Sequence, residues 1–264
     1  VTAAAAQTPI VLVASGTTTT ASATYRRIDA ACRRQFPAHP VHWAYSSRRI
    51  RRRLRQETGE VLPTVRAVLG QLQRSGCRRV VVQSLHLICG VEFHHLVWQA
   101  AGSDLAVHLG LPLLAAPDDF DALLDWIASV RPAEARDGLV LVGHGTDHPA
   151  WMAYAVLAQR IEERFGERVA LGQVRGEPSA AVVADRLAAA GFRRVLLRPL
   201  MLVAGAHFMQ DIAGRQATSW QTQLTERGLT VSTVAEGLGA DPVPLGIFCR
   251  HIGAALAAPP LDLS

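Results

Sequence analysis

The chain has 264 residues, 49% hydrophobic and 19% charged, which is enough for two modest lobes with substantial cores and too apolar for a disordered chain. No apolar run reaches the roughly 18–20 residues that span a bilayer, so a membrane span is excluded and the chain reads as soluble. The net charge of +5 comes from arginine alone, since no lysine occurs; with no aromatic platform or reading motif beside the arginines, nucleic acid is disfavoured as a partner.

The chain opens "VTAAAAQTP", without a methionine. Small residues at this end are what a signal peptidase leaves, so the reading leans towards a periplasmic protein, with the cytoplasm as the alternative. "IVLVASG" follows as a strand apolar on both faces, running into Ser15, Gly16, Thr17 and Thr18. The arginine cluster "SSRRIRRRLRQE" at 46–57 reads either as a solvated helix face or as an attraction for a small polycarboxylate, because guanidinium forks fit carboxylates in pairs. "EVLPTVRAVLGQLQRSG" has helical spacing and ends at a glycine.

"RRVVVQSL" gives the next buried strand, and "SLHLICGVEFHHL" after it crowds together His86, Glu92, His94 and His95. Adjacent histidines on a helix point about 100° apart, so His94 and His95 cannot both face one site. One is expected to face outward, and an accessory haem or metal contact at these two is the minority reading.

"LVLVGHGTDHPAW" then places His144 at a strand mouth between two glycines. Such glycines let backbone approach a ligand and leave the ring unshielded. His148 stands four residues on, but Gly145 and Pro149 argue against a helix through both histidines, so His148 is read as lying near an N-cap. "RVALGQV" and "RRVLLRPLM" are further strands, with the helix pattern "SAAVVADRLAAAGF" between them. "MLVAGAHFMQDIAG" carries His207 just after a strand and Gly205. Two strand-end histidines make a metal site credible, and "VRGEPSA" supplies a third candidate ligand in Glu177. Two histidines and one carboxylate suit a labile divalent metal that is handed on.

Alternation of strands and helices predicts an α/β fold with parallel sheets. The chain also repeats: "PIVLVASGTTTT" matches "GLVLVGHGTDHP", and "RRVVVQSLHLICGVEFHHL" matches "RRVLLRPLMLVAGAHFMQD", which sets Glu92 opposite His207. The expectation is two similar lobes, residues 1–130 and 131–264, each a parallel sheet flanked by helices, with the active site in a cleft between them. No phosphate loop, G-x-G-x-x-G or G-x-S-x-G occurs, which disfavours nucleotide use and serine hydrolysis. Cys32, Cys77, Cys89 and Cys249 lie far apart with no C-x-x-C and read as neither a zinc site nor a disulfide framework.

From "VLVASGTT" to "EGLGADP" the chain resembles the anaerobic sirohydrochlorin-type cobalt chelatases, class II chelatases related to the ferrochelatases. "VGHGTDHPAW" and "PLMLVAGAHFMQDIAG" are the specific blocks, joined by "AYSSRRIRRRL" and "HLICGVEF". The resemblance implies insertion of Co(II), as substrate metal, into sirohydrochlorin or precorrin-2 for cobalamin biosynthesis, without a nucleotide. It puts the family's metal histidines on His144 and His207. The family's glutamate place falls on Arg175, leaving Glu177, two residues on, to reach the metal if the segment stays extended. Ala206 and Gln210 also depart from the family's Asp and Asn. In this reading His144, His207 and Glu92 are catalytic, with Glu92 the proton acceptor. Ser15, Thr17, Thr18, Arg48, His86 and Gly205 contact the tetrapyrrole. An exported metal or haem carrier without turnover, a chelatase for Fe(II), and a homo-oligomeric state stay open.

Overall fold

A computed structural model of the chain describes residues 7–19 and 22–261; the N-terminal alanines behind the export expectation lie outside the described residues. The chain forms two compact units. Unit 1 comprises the described residues up to Thr18, Tyr25–Ala115 and those from Pro244 on; unit 2 comprises Thr19–Thr24 and Ala116–Val243.

Unit 1 is built on a four-stranded parallel sheet of order β2-β1-β3-β4, with β1 Ile10–Ala14, β2 Val41–Tyr45, β3 Arg79–Ser84 and β4 Ala106–Gly110. All five residues of β1 are buried, so its alternate side chains are covered on both faces, as in a sheet with helices on each side. Val11, Val13, Val80 and Val82 pack against Val65, Val68, Leu69 and Leu72 of α3 (Val65–Arg74) and Leu96 of α4 (Val91–Ala101). Each such side chain removed from water contributes roughly 1.5–3 kcal/mol. The remaining helices are α1 (Ser22–Gln35), α2 (Arg48–Thr58) and α9 (Pro242–Ala257).

Unit 2 repeats the topology, with order β6-β5-β7-β8: β5 Asp137–Gly143, β6 Val169–Gln173, β7 Arg194–Leu200 and β8 Thr230–Thr233. Its helices are α5 (Pro117–Val130), α6 (Met152–Phe165), α7 (Ala180–Ala189) and α8 (Trp220–Glu226). The repeat read in the sequence is therefore a repeat of sheet order, β1 answering to β5 and β3 to β7.

The division of the chain differs from a cut at residue 130. α5 packs with unit 2, because its Asp121 and Asp125 pair with Arg160 and Arg164 of α6 at 2.9 and 2.7 Å and its Trp126 ring lies under the Arg198 guanidinium of β7 at 5.4 Å. α9 returns to unit 1, where His251 bonds the Leu111 carbonyl at 3.0 Å and the Ala258 carbonyl meets His108 of β4 at 2.9 Å.

Register brings the carboxyl ends of three strands of unit 2 level, for Gly143 pairs with both Gln173 and Leu200. His144, Val174 and Met201 thus leave the sheet side by side, at the end where open α/β sheets bind ligands.

Candidate metal centre

His144 leaves β5 between two glycines that are packed, one on each side. A Cβ on Gly143 would stand 2.6 Å from the Tyr154 ring, and one on Gly145 would stand 1.6 Å from the Arg175 carbonyl oxygen. Gly145 also sits at φ +80°, where side-chained residues are strained. These glycines admit neighbouring protein atoms, the Tyr154 ring beside Gly143 and the Arg175 carbonyl beside Gly145. Val174 N–H donates to the Gly143 carbonyl at 2.9 Å and Arg175 N–H to the His144 carbonyl at 3.0 Å, so the loop after β6 is laced to the histidine. The Tyr154 hydroxyl, buried beneath, takes hydrogen bonds from the His144 and Gly145 backbone, while burial pushes its pKa up to about 12.

His207 stands at the start of a π-helical turn, Phe208–Ile212, whose Phe208 and Ile212 are buried. Such turns recur at functional sites. Gly205 is buried just before it and accepts from Met209 N–H at 3.2 Å. The turn brings Asp211 back to His207, Nδ1 to Oδ2 at 2.6 Å.

The two imidazoles meet edge to face, with ring centroids 4.7 Å apart and planes at 83°. His144 Nδ1 lies 2.9 Å from the Gly145 carbonyl oxygen, which can only accept, so Nδ1 carries the proton and Nε2 keeps its lone pair. The Asp211 carboxylate fixes the same tautomer in His207. Burial pushes the His144 pKa below the ordinary histidine range; the Gly145 carbonyl pulls it up, His207 and Arg175 push it down, and Asp211 pulls it up. A neutral ring with a free Nε2 is the form that binds metal.

Glu177 does not join them. Among the described residues no group of three His, Cys, Asp or Glu side chains is placed to hold a metal ion together. Gly176, at φ +115°, turns the chain between Arg175 and Glu177, so the two-residue alternation of an extended segment is lost. The exposed Glu177 carboxylate instead accepts from Ser179 N–H at 2.8 Å, ahead of α7. Asp211, which the sequence reading passed over, is the carboxylate beside the pair. Its signal was its place four residues after His207. His148 accepts from Ala150 N–H at 3.1 Å through its ring and caps the short turn Pro149–Trp151, as its position before Pro149 predicted.

In unit 1 the corresponding strand ends gather a different set. His86 follows β3 with Ser46 Oγ 3.0 Å from Nε2 and Ser84 Oγ 2.9 Å from Nδ1. Burial pushes its pKa down to about 4, against the pull of Glu92 in the first turn of α4. Ser15, Thr17 and Thr18 are half-buried after β1, and Ile50 of α2 closes on Gly16 between them, 3.0 Å from where a Cβ would stand. Arg48 is exposed at the first position of α2, which Ser47 caps through Ile50 N–H at 3.3 Å. His94 and His95 are both exposed on α4, the former edge-on to Phe93. No helix among the described residues is long and apolar enough to cross a membrane.

The model of the family described as "Cobalt chelatase (CbiK)" matches residues 8–257. The sirohydrochlorin cobaltochelatase of Salmonella typhimurium is 32% identical over 236 residues, 88% of this chain and 87% of that protein. The sirohydrochlorin cobaltochelatase CbiKC of Nitratidesulfovibrio vulgaris is 33% identical over 245 residues, 89% and 85% of the two chains. Among solved structures, SirB from Bacillus subtilis with Fe3+ superposes with a TM-score of 0.67 at 13% identity over 97% of this chain and 100% of that one, a likeness of fold. With its two four-stranded sheets and this match along nearly its whole length, the chain belongs to the CbiK cobalt chelatase family.

Proposed function

We propose that this chain is a metal chelatase, a lyase that inserts Co(II) into sirohydrochlorin for cobalamin biosynthesis, with His144 and His207 as the groups that hold the incoming metal. The observation that carries the reading is the pair of imidazoles 4.7 Å apart, each with Nδ1 held by an oxygen, the Gly145 carbonyl for His144 and the Asp211 carboxylate for His207. Two protein nitrogens leave most of the ion's positions to water and then to the four pyrrole nitrogens, so the metal is held loosely enough to pass on. Asp211 holds the His207 ring in place through Nδ1 and offsets part of the ion's charge. As Co(II) enters, two pyrrole N–H bonds break and two protons leave, and the macrocycle becomes a dianionic ligand. Glu92, a half-buried carboxylate on α4, is the proposed acceptor of a pyrrole proton.

The test is anaerobic metallation of sirohydrochlorin followed by absorbance, with Co(II) and Fe(II) in parallel and no nucleotide added. Catalytic turnover by the native chain, lost in His144→Ala and in His207→Ala, is the expected result. Metallation that stops at one equivalent per chain is the behaviour of a carrier and overturns the chelatase reading. Faster turnover with Fe(II) than with Co(II) overturns the assignment of the metal.

A further inference from the structure

We propose that the arginine face of α2 is a docking site for the carboxylate arms of an apolar macrocycle; this rests on the tetrapyrrole reading above. Arg48, Arg51, Arg52 and Arg55 follow one another at the i, i+3, i+4, i+7 spacing of a single helix face, about 10 Å long. The opposite side of the helix is spoken for, since Leu54 is buried and Ile50 packs on Gly16. Together with Val61 and Leu62 the four arginines line a shallow cavity of about 160 Å³.

Three observations, taken together, bear on what this face can bind. First, none of the four guanidinium groups has a carboxylate partner among the described residues, whereas Arg53 alongside is paired with Glu57 at 2.8 Å. Like charges at these spacings destabilise a helix, so the face is held at a cost to α2. Second, Arg51 Nε is shielded from solvent and meets no acceptor among the described residues. Third, the floor is apolar, and Val61 is 72% exposed there. Guanidinium forks around an exposed aliphatic patch fit an apolar ring edged with carboxylates better than a bare phosphate, which gains nothing from the patch.

The position agrees with the chemistry. α2 starts directly beyond the carboxyl end of β2, where Ser46 bonds both the Ala14 carbonyl, at 2.9 Å through its N–H, and His86. Sirohydrochlorin carries carboxylate arms around its whole rim, so a fixed row of forks would hold it by its edge and set its rotation in its own plane. The sequence offered the whole 46–57 cluster as an attraction for a polycarboxylate, with Arg48 as the tetrapyrrole contact; the structure places Arg48, Arg51, Arg52 and Arg55 on one face beside an apolar floor.

The test is steady-state metallation over a range of sirohydrochlorin and salt concentrations for the native chain, the double variant Arg51→Gln/Arg52→Gln and the double variant Arg51→Lys/Arg52→Lys. Losing two charge-assisted contacts should raise KM about 10–100-fold and flatten its salt dependence, with kcat within about twofold of native. The lysine variant should recover the salt dependence and only part of the affinity, since charge returns without the fork. Native turnover with KM and salt slope unchanged in the glutamine variant overturns the docking site and leaves the chelatase reading standing. If the native chain does not turn over, the chelatase reading has failed. The face is then judged by fluorescence quenching with metal-free sirohydrochlorin, where equal affinity of native and glutamine variant overturns it. Loss of duplex DNA retention in the glutamine variant, without loss of tetrapyrrole affinity, makes nucleic acid the occupant and likewise overturns it.

Discussion

Replacing Gly145 by alanine tests how His144, the proposed metal histidine, is held, and Gly228→Ala supplies its control. The two glycines have nearly the same backbone, φ +80° and +81°, and both lie in unit 2. They differ in surroundings: nothing stands within 4 Å of a Cβ on Gly228, whereas a Cβ on Gly145 falls 1.6 Å from the Arg175 carbonyl oxygen. Each variant carries the left-handed cost of a side-chained residue, about 1–2 kcal/mol. Only Gly145→Ala must also push the 174–175 backbone away, giving up the bonds from Val174 N–H to Gly143 and from Arg175 N–H to His144. At about 1 kcal/mol each, the two bonds set the extra loss at about 2 kcal/mol, or roughly 4–8 °C in Tm for a protein of this size. Calorimetry of the three proteins reads the difference directly, and metallation should fall with Gly145→Ala because the backbone carrying His144 has moved. Equal Tm values for the two variants would refute the claim that close packing on Arg175 dictates this glycine.

Asp211→Ala should lower Co(II) affinity about 10–100-fold, with Asp211→Asn intermediate because its amide oxygen still accepts from His207 Nδ1; calorimetric titration with Co(II) checks this, and native affinity in Asp211→Ala would remove Asp211 from the site. His86, ordinarily protonated below about pH 6.5 when unfolded, stays neutral in the fold down to about pH 4. The unfolded chain therefore binds the extra proton first, and stability present above pH 6.5 is lost as pH falls towards 4. Urea unfolding across that window should show the loss, and His86→Gln should show less of it; identical slopes would contradict the burial of a neutral ring.

The sheet centres were legible because β1, β3, β5 and β7 are apolar on both faces, which local pattern reveals. The edge strands were not: β2 alternates only partly and β8 is mostly exposed, so neither stands out from a loop. At the candidate metal centre the meeting of His144 and His207 was foreshadowed by their strand-end positions, but the packing around the flanking glycines was not. Tyr154 and the Arg175 carbonyl, which fill the space beside them, lie 11 and 30 residues beyond Gly143 and Gly145 and reach them only through the fold. Glu177 was misplaced for a local reason, since one glycine at positive φ reverses which side of the chain a residue faces.

The return of α9 to unit 1 bears on how the chain is made. Synthesis delivers β1 to β4 first, yet the helix whose Ile247, Phe248, Ile252 and Ala255 are buried in that unit comes last, after all of unit 2. Unit 2 is by contrast almost continuous from Ala116 to Val243 and holds both histidines proposed to take the metal. Domains fold as units during synthesis, so the half proposed to bind metal can be finished while the earlier half still waits for its last helix. If the proposed histidine pair holds the metal, loss of the C-terminal 20 or so residues leaves a chain that can still take cobalt while unit 1 exposes core, and metal binding by itself is then a poor report of an intact enzyme.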